Sequence, residues 1–376
     1  MLKNLLAGIV VATCAVAAVQ SQGAGRGGGQ AARPEFPTAK QFGESKEAQR
    51  HVAAAVTLAR SDLVNEAKAF CTPTGPQRVA LARQAAGLPP IPDVTLEPIK
   101  IFDNLYYLGF NDVGAWAVPT SAGIILFDTL NSTDDGKNVI EPGLKKVGLD
   151  PAQIKYIVLG HGHNDHTGGA SHLQTKYSPK VLMAAPDWDM VARNTRPDRP
   201  QPKRDMDLAD GQKLTLGDTT VTLVQLPGHT PGTVGMILPA KYQGRTHTAM
   251  IMSGTQMPTP QSLAAFEHVF NDFAKPQHVE TGLGSHPDIL VNSLSAMEGV
   301  RDHYPTGAHP FLMGEEKFGR YLSIMLECGR ARLAAMGEPS PTDVRRRGRA
   351  PDHHVWASRT RADSRASHPG AGGIAH

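Results

Sequence analysis

Cysteine is scarce in this sequence. The 376 residues hold three, Cys14, Cys71 and Cys328, and none forms a C-x-x-C pair. That excludes a zinc site built on paired thiolates. A Gly-x-Ser-x-Gly elbow is absent too, so the usual strand-turn-helix serine nucleophile has no candidate. A basic body is also missing. The net charge is +3, but the segment from Asp343 onward carries seven Arg against three Asp, which leaves the rest one charge negative. Nothing in that balance argues for nucleic acid as a partner. The N-terminal apolar run Leu5 to Val16 is too short to span a bilayer comfortably. No short-period repeat is present either.

What is present divides the chain into four parts. Lys3, the apolar run and the small residues Ala15-Val16-Ala17-Ala18 have the order of an export signal over residues 1–18. Cys14 lies inside that signal; it also offers a weak lipoprotein-type cleavage site. Residues 19–98 form a linker followed by a helical extension. Val52, Val56, Ala59 and Leu63 recur at helical spacing, which predicts a helix over Ser45–Phe70. From Ile99 strands dominate, with Ile99–Phe102, Leu105–Gly109, Ala115–Pro119, Gly123–Phe127, Ile154–Leu159 and Lys180–Ala184 in a first set. A second set follows: Lys213–Leu216, Thr219–Gln225, Val234–Leu238, Thr246–Met252 and a short strand at His278–Glu280. Helices are expected over Thr167–Tyr177, Gln261–Phe273, Ser293–Val300 and Glu315–Ala335. The main domain spans 99–337, and 338–376 reads as a disordered basic tail. Cys71 and Cys328 could pair in an oxidising compartment or stand as two packed thiols; the sequence leaves both open.

The chemistry is concentrated in His161-Gly162-His163-Asn164-Asp165-His166, directly after an apolar strand. Imidazole nitrogen and carboxylate oxygen in a compact loop are what zinc prefers. Two later histidines stand in tight turns: His229 in Pro227-Gly228-His229-Thr230-Pro231-Gly232 and His286 in Gly284-Ser285-His286-Pro287. The remaining histidines, among them His172, His247, His268, His278, His303 and His309, read as surface or satisfied core residues. Trp116 and Trp188 read as core in preference to cleft lining, and Asn164 as filler or a helix cap.

With these motifs the chain from Ile99 to Ala335 resembles the metallo-β-lactamase superfamily, and within it class B β-lactamases of the third subclass. The resemblance implies an α+β fold, an αβ/βα four-layer sandwich of two facing mixed sheets with helices outside. It also implies two zinc ions per chain, one on His161, His163 and His229 and the other on Asp165, His166 and His286. Asp128, at the end of Gly123–Phe127, matches an acidic position that braces the metal loop from behind. The implied reaction is attack by a zinc-activated hydroxide on a β-lactam amide, with Asp165 as water-orienting and proton-carrying residue. Related lactonases, thioesterases and nucleases usually place a metal-bridging Asp at the end of the strand between the last two histidines. Here that strand ends Met252-Ser253-Gly254-Thr255, and Thr255 is the candidate to touch a zinc-bound water. The expectations are therefore a periplasmic or secreted zinc hydrolase with a small-molecule substrate, no nucleic-acid partner and no stable membrane insertion. Two alternatives stand: a hydrolase of the same fold acting on lactones, esters or thioesters, and a non-catalytic exported metal-binding protein.

Overall fold

The computed structural model describes residues 36–76, 94–194, 196, 198–287 and 293–338. The expected export signal, nearly all of the Gln22–Thr38 linker, part of the Gly75–Pro98 strap and all but the first residue of the expected tail lie outside them. Everything described belongs to one unit of the chain, Pro34–His376.

Among the described residues, twelve strands form two sheets. The first contains β1 (Ile99–Phe102), β2 (Leu105–Gly109), β3 (Gly114–Thr120), β4 (Gly123–Phe127), β5 (Ile154–Val158), β6 (Lys180–Met183) and β7 (Met206–Asp207), in that spatial order. The second holds β8 (Gln212–Leu216), β9 (Thr219–Gln225), β10 (Val234–Tyr242), β11 (Arg245–Met252) and β12 (Thr281–Gly284), ordered β12-β11-β10-β9-β8. Strands β1 to β4 form an antiparallel meander, and β4 to β7 run parallel. Parallel pairs need a crossover, so helices lie on the outer face of this half of the sheet.

Alternation along β4 shows how the layers are built. Ile125 and Phe127 point between the sheets, into a core shared with Leu223, Met236, Leu238 and Ile251 of the second sheet. Ile124 and Leu126 point the other way, onto Ile140, Leu144, Leu173 and Trp188 of the outer helical layer. Both faces are apolar because both are covered. The second sheet has its own outer layer: Val224, Ile237, Met250 and Met252 pack against Phe266, Phe318, Leu322 and Met325. The arrangement is the αβ/βα sandwich. A side chain such as Phe127, with no exposed surface, is worth about 3–5 kcal/mol against truncation to alanine.

The predicted helix over Ser45–Phe70 is two helices, Lys46–Ala59 and Val64–Phe70, broken where Arg60 takes a left-handed φ of 47°. Both pack on the final helix, Glu315–Ala335, and Cys71 is disulfide-bonded to Cys328 with Cα atoms 4.6 Å apart. The strand expected at His278–Glu280 lies at Thr281–Gly284, because His278 turns the chain with φ 52°. Among the elements that sequence reading did not expect are the helix Ala39–Glu44, the two-residue β7 and a helix over Ala185–Ala192. No helix among the described residues is long and apolar enough to cross a membrane.

Candidate metal centre

All candidate ligands lie at one edge of the sandwich, where the loops after β4, β5, β9, β11 and β12 meet. Strand register explains the convergence. Phe127 is paired with Val158, so the loops beginning at Asp128 and Leu159 emerge side by side. Met252 is paired with Gly284, which sets Ser253 beside Ser285. Val234 N–H donates to Gly160 O (2.8 Å) and stitches the two sheets together at this edge.

The six sequence candidates form two groups. His161 Nε2 lies 3.0 Å from His163 Nδ1, which in turn lies 3.0 Å from His229 Nε2. In the second group His166 Nε2 and His286 Nε2 are 3.1 Å apart, and Asp165 Oδ2 is 3.4 Å from His286 and 3.7 Å from His166. His161 also lies close enough to Asp165 and His166 to join their group. His161, His166 and His286 are buried floor residues, whereas His163, Asp165 and His229 face the open side.

Four outward-facing ring nitrogens are occupied, which fixes the tautomers. His166 donates from Nδ1 to Asp128 Oδ2 (2.8 Å), and His286 donates from Nδ1 to Asp112 O (2.7 Å). His229 donates from Nδ1 to Gln256 Oε1 (3.1 Å). His161 Nδ1 meets Ser253 Oγ (3.0 Å), whose hydroxyl in turn points to Asp128 Oδ2 (3.5 Å). A ring that donates from one nitrogen carries a lone pair on the other. The inward Nε2 atoms of His166 and His286 are therefore both acceptors, and two acceptors 3.1 Å apart repel unless a cation stands between them. The donor set fits Zn2+ or a similar divalent metal. Burial, reinforced by the neighbouring imidazoles, depresses His161 well below the usual histidine range and His229 to about 4, so both rings are neutral, as ligation requires. Burial opposes the charge on Asp165, but its polar contacts at the centre, with His286 and His166 among them, outweigh it and hold its carboxyl well below the usual carboxylate range.

Two buried carboxylates organise the edge. Asp128 sits at φ 65°, a left-handed conformation that Asp tolerates better than most residues. It accepts from Gly160 N–H (2.6 Å), His166 Nδ1 and Ser285 Oγ (2.6 Å). Asp187 has no exposed surface and accepts from Gly162 N–H (2.7 Å), Thr230 Oγ1 (2.7 Å) and Gly232 N–H (2.8 Å). Burial raises its affinity for a proton, and those three donors work the other way. Sequence reading missed Asp187 and Ser253. Asp187 lies on the unexpected helix, and its partners are mostly backbone groups, which leave no residue signature.

Other expectations sort as follows. Gly162 serves close approach: a Cβ there would lie 2.6 Å from Met190 Cε. Gly168 presses on the Asn131 backbone, where a Cβ would come within 2.1 Å. The Asn164 side chain donates to Asn131 O, an anchoring contact. Thr255 is buried, and Ser253, two residues earlier, meets His161. Trp116 and Trp188 are core, donating to Gly284 O (3.3 Å) and Met206 O (3.0 Å). His172, His247, His268 and His278 pair with carboxylates away from the centre, and His309 bonds Ile101 O.

Residues 109–245 match the family model of the metallo-beta-lactamase superfamily. The structure is similar to that of BJP-1, a subclass B3 metallo-beta-lactamase of Bradyrhizobium japonicum, with a TM-score of 0.51 and 25% identity over 61% of this chain and 91% of that one. Curated relatives carry other activities. The chain is 26% identical over 217 residues to an atrochrysone carboxyl ACP thioesterase of Passalora fulva, covering 56% of this chain and 60% of that protein. It is 33% identical over 99 residues to the N-acyl homoserine lactonase AttM of Agrobacterium fabrum, covering 24% of this chain and 37% of the lactonase. These alignments thus span less than two thirds of either relative. The chain thus carries the metallo-beta-lactamase superfamily pattern over residues 109–245 and shares the fold of BJP-1. His161, His163 and His229 lie close enough together to hold one metal ion.

Proposed function

We propose that this protein is a dinuclear zinc hydrolase that opens the cyclic amide of β-lactams. The observation that carries the reading is two convergent ligand groups with a serine, and no carboxylate, at the end of β11. His161, His163 and His229 would hold one ion; Asp165, His166 and His286 would hold the other. Ions so held lower the pKa of a bound water and polarise the scissile carbonyl. The protein's own part is positional. Asp128, Asp112, Gln256 and Ser253 fix four rings through their outer nitrogens, and Asp165 orients the attacking water and takes up its proton. Substrate approaches over His163, Asp165 and His229, the ligands on the open side.

An ion held by Asp165, His166 and His286 would supply positive charge to a departing amide nitrogen, and no carboxylate at the end of β11 would compete for it. An alkoxide or thiolate gains less from that charge. The second reading, a thioester or lactone hydrolase, is favoured by the activities named for the two curated relatives. One experiment separates them: zinc-loaded protein assayed in parallel against a chromogenic cephalosporin, an acyl-homoserine lactone and an acyl thioester. Fastest turnover of the cephalosporin supports the reading. Lactone or thioester hydrolysis with no β-lactam opening would replace it by the second. Zinc content near two per chain, falling towards one in His166→Ala, tests the ligand assignment apart from any substrate. Export to the periplasm or medium belongs to the same proposal, supported by the Cys71–Cys328 disulfide; recovery of the protein from the cytosol with both thiols reduced would count against it.

A further inference from the structure

We propose that Asp187 is a positioning residue that clamps the two loops of one metal group and so sets the affinity of that ion alone. The inference rests on the dinuclear reading above. Gly162 lies between two ligands of the first group, His161 and His163, and its N–H donates to Asp187 Oδ2. Thr230 and Gly232 follow the third ligand, His229, by one and three residues and donate to Oδ2 and Oδ1. One side chain therefore joins the loop after β5 to the turn after β9, which come from different sheets. Thr233 Oγ1 accepts from Thr230 N–H (2.9 Å) and closes the turn from inside.

The fit is tight on both sides. A Cβ on Gly232 would stand 2.6 Å from Asp187 Oδ1, and one on Gly162 would stand 3.1 Å from the Asp187 carbonyl oxygen. Glycine at both positions lets the loops close on the carboxylate. Asp187 is held in turn by its helix, whose neighbouring Trp188 is anchored to Met206 O. The second group has a separate brace. Asp128 bonds the ring of His166, and Asp112 O bonds that of His286. No hydrogen bond runs from Asp187 to Asp165, His166 or His286 among the described residues. The division of labour is thus one buried carboxylate for each ligand group. The two braces meet at the start of the loop after β5, where Asp128 accepts from Gly160 N–H (2.6 Å) and reaches His161 through Ser253.

Asp187→Asn keeps the shape but replaces one acceptor oxygen by a donor, which must face an N–H or O–H it cannot satisfy. Outer partners of metal ligands typically control affinity 10- to 100-fold, so the full-length variant should lose about that factor for one zinc and keep the other within about threefold. The measurement is a competition titration of wild type and variant with a chromophoric chelator, resolving the two stepwise zinc affinities. Cobalt substitution serves as a second readout: the visible spectrum of the weakened ion should match the band lost in His229→Ala, not the band lost in His286→Ala. Thr230→Val keeps the carboxylate, removes one donor and should show the same split at smaller size, so a misfolded Asp187→Asn leaves the test intact. Equal loss of both zinc ions, or no loss in either variant, would overturn the proposal. Failure of the unmodified protein to bind zinc at all would instead overturn the underlying reading, so the two failures are told apart.

Discussion

Removing the Asp128 carboxylate should cost more stability than any other single polar change at the metal edge. Asp128→Ala leaves Gly160 N–H, His166 Nδ1–H and Ser285 O–H without their acceptor, all at full burial. A buried donor left unpaired costs about 1–3 kcal/mol, so three give an upper range of about 3–9 kcal/mol. The contributions share one partner and do not simply add, so the lower half of that range is expected. Alanine also has to hold the left-handed φ of 65°, at roughly 1–2 kcal/mol, a strain that Asp128→Gly would relieve. Asp128→Asn tolerates that φ, and its amide oxygen can still accept; its amide nitrogen then faces a donor. The expected order of stability is wild type, Asn, Gly, Ala, with Gly and Ala separated by about the backbone strain. Urea unfolding of the chelator-treated proteins at constant m-value measures it, and zinc competition should show a loss of about 10–100-fold at the His166 group. An alanine variant within about 0.5 kcal/mol of wild type, with unchanged zinc affinity, would refute the reasoning.

Gly254→Ala should weaken zinc binding by displacing His229, because the added Cβ would lie 2.8 Å from His229 Cβ; a chelator titration unchanged from wild type would show that the turn yields freely. By the same contact, a carboxylate introduced at Gly254 should disturb the first ligand group before it can bridge two ions. Replacing Cys71 and Cys328 by serine should lower the unfolding free energy by about 2–5 kcal/mol, read by urea titration, with activity retained because the disulfide lies under the outer helices and away from the metal edge. Metal-free protein should lose thermal stability as pH falls from about 6.5 to 4. Burial holds His229 at about 4, so the unfolded chain takes up protons in this window that the folded one refuses, and stability declines with falling pH. His161 is depressed in the same direction. A His229→Asn variant should show a shallower fall in melting temperature; an identical slope would assign the effect elsewhere.

The layered fold and the first ligand loop were legible in the sequence for a common reason: both are written in residues close along the chain. Ile124 to Phe127 read as a strand because four apolar residues in a row have few other uses, and His161, His163, Asp165 and His166 announce a metal because four ligands share one loop. His229 and His286 were legible only through resemblance, since each stands alone in its turn. The helix break at Arg60 and the strand shift at His278 were not legible. Each depends on a left-handed residue that is neither glycine nor asparagine, so tertiary packing imposes the conformation.

The parts of the centre that stayed hidden share a different property: their partners are backbone groups or come from distant strands. Met252-Ser253-Gly254-Thr255 drew attention to what it lacks, a bridging carboxylate, and to the hydroxyl of Thr255. The register of β11 against β12 instead sets Ser253 between His161 and Asp128. Asp187 carries no signal of its own in the sequence, yet it has no exposed surface and accepts three bonds, two of them from glycine amides. An amide N–H carries no residue identity, so no motif could point to it. What could have pointed to it is the glycines, because Gly162 stands between two ligands, Gly232 closes the turn of a third, and neither has room for a Cβ where Asp187 and its helix press against them. A glycine next to a metal ligand is therefore a reason to look for the side chain that fills the space it leaves.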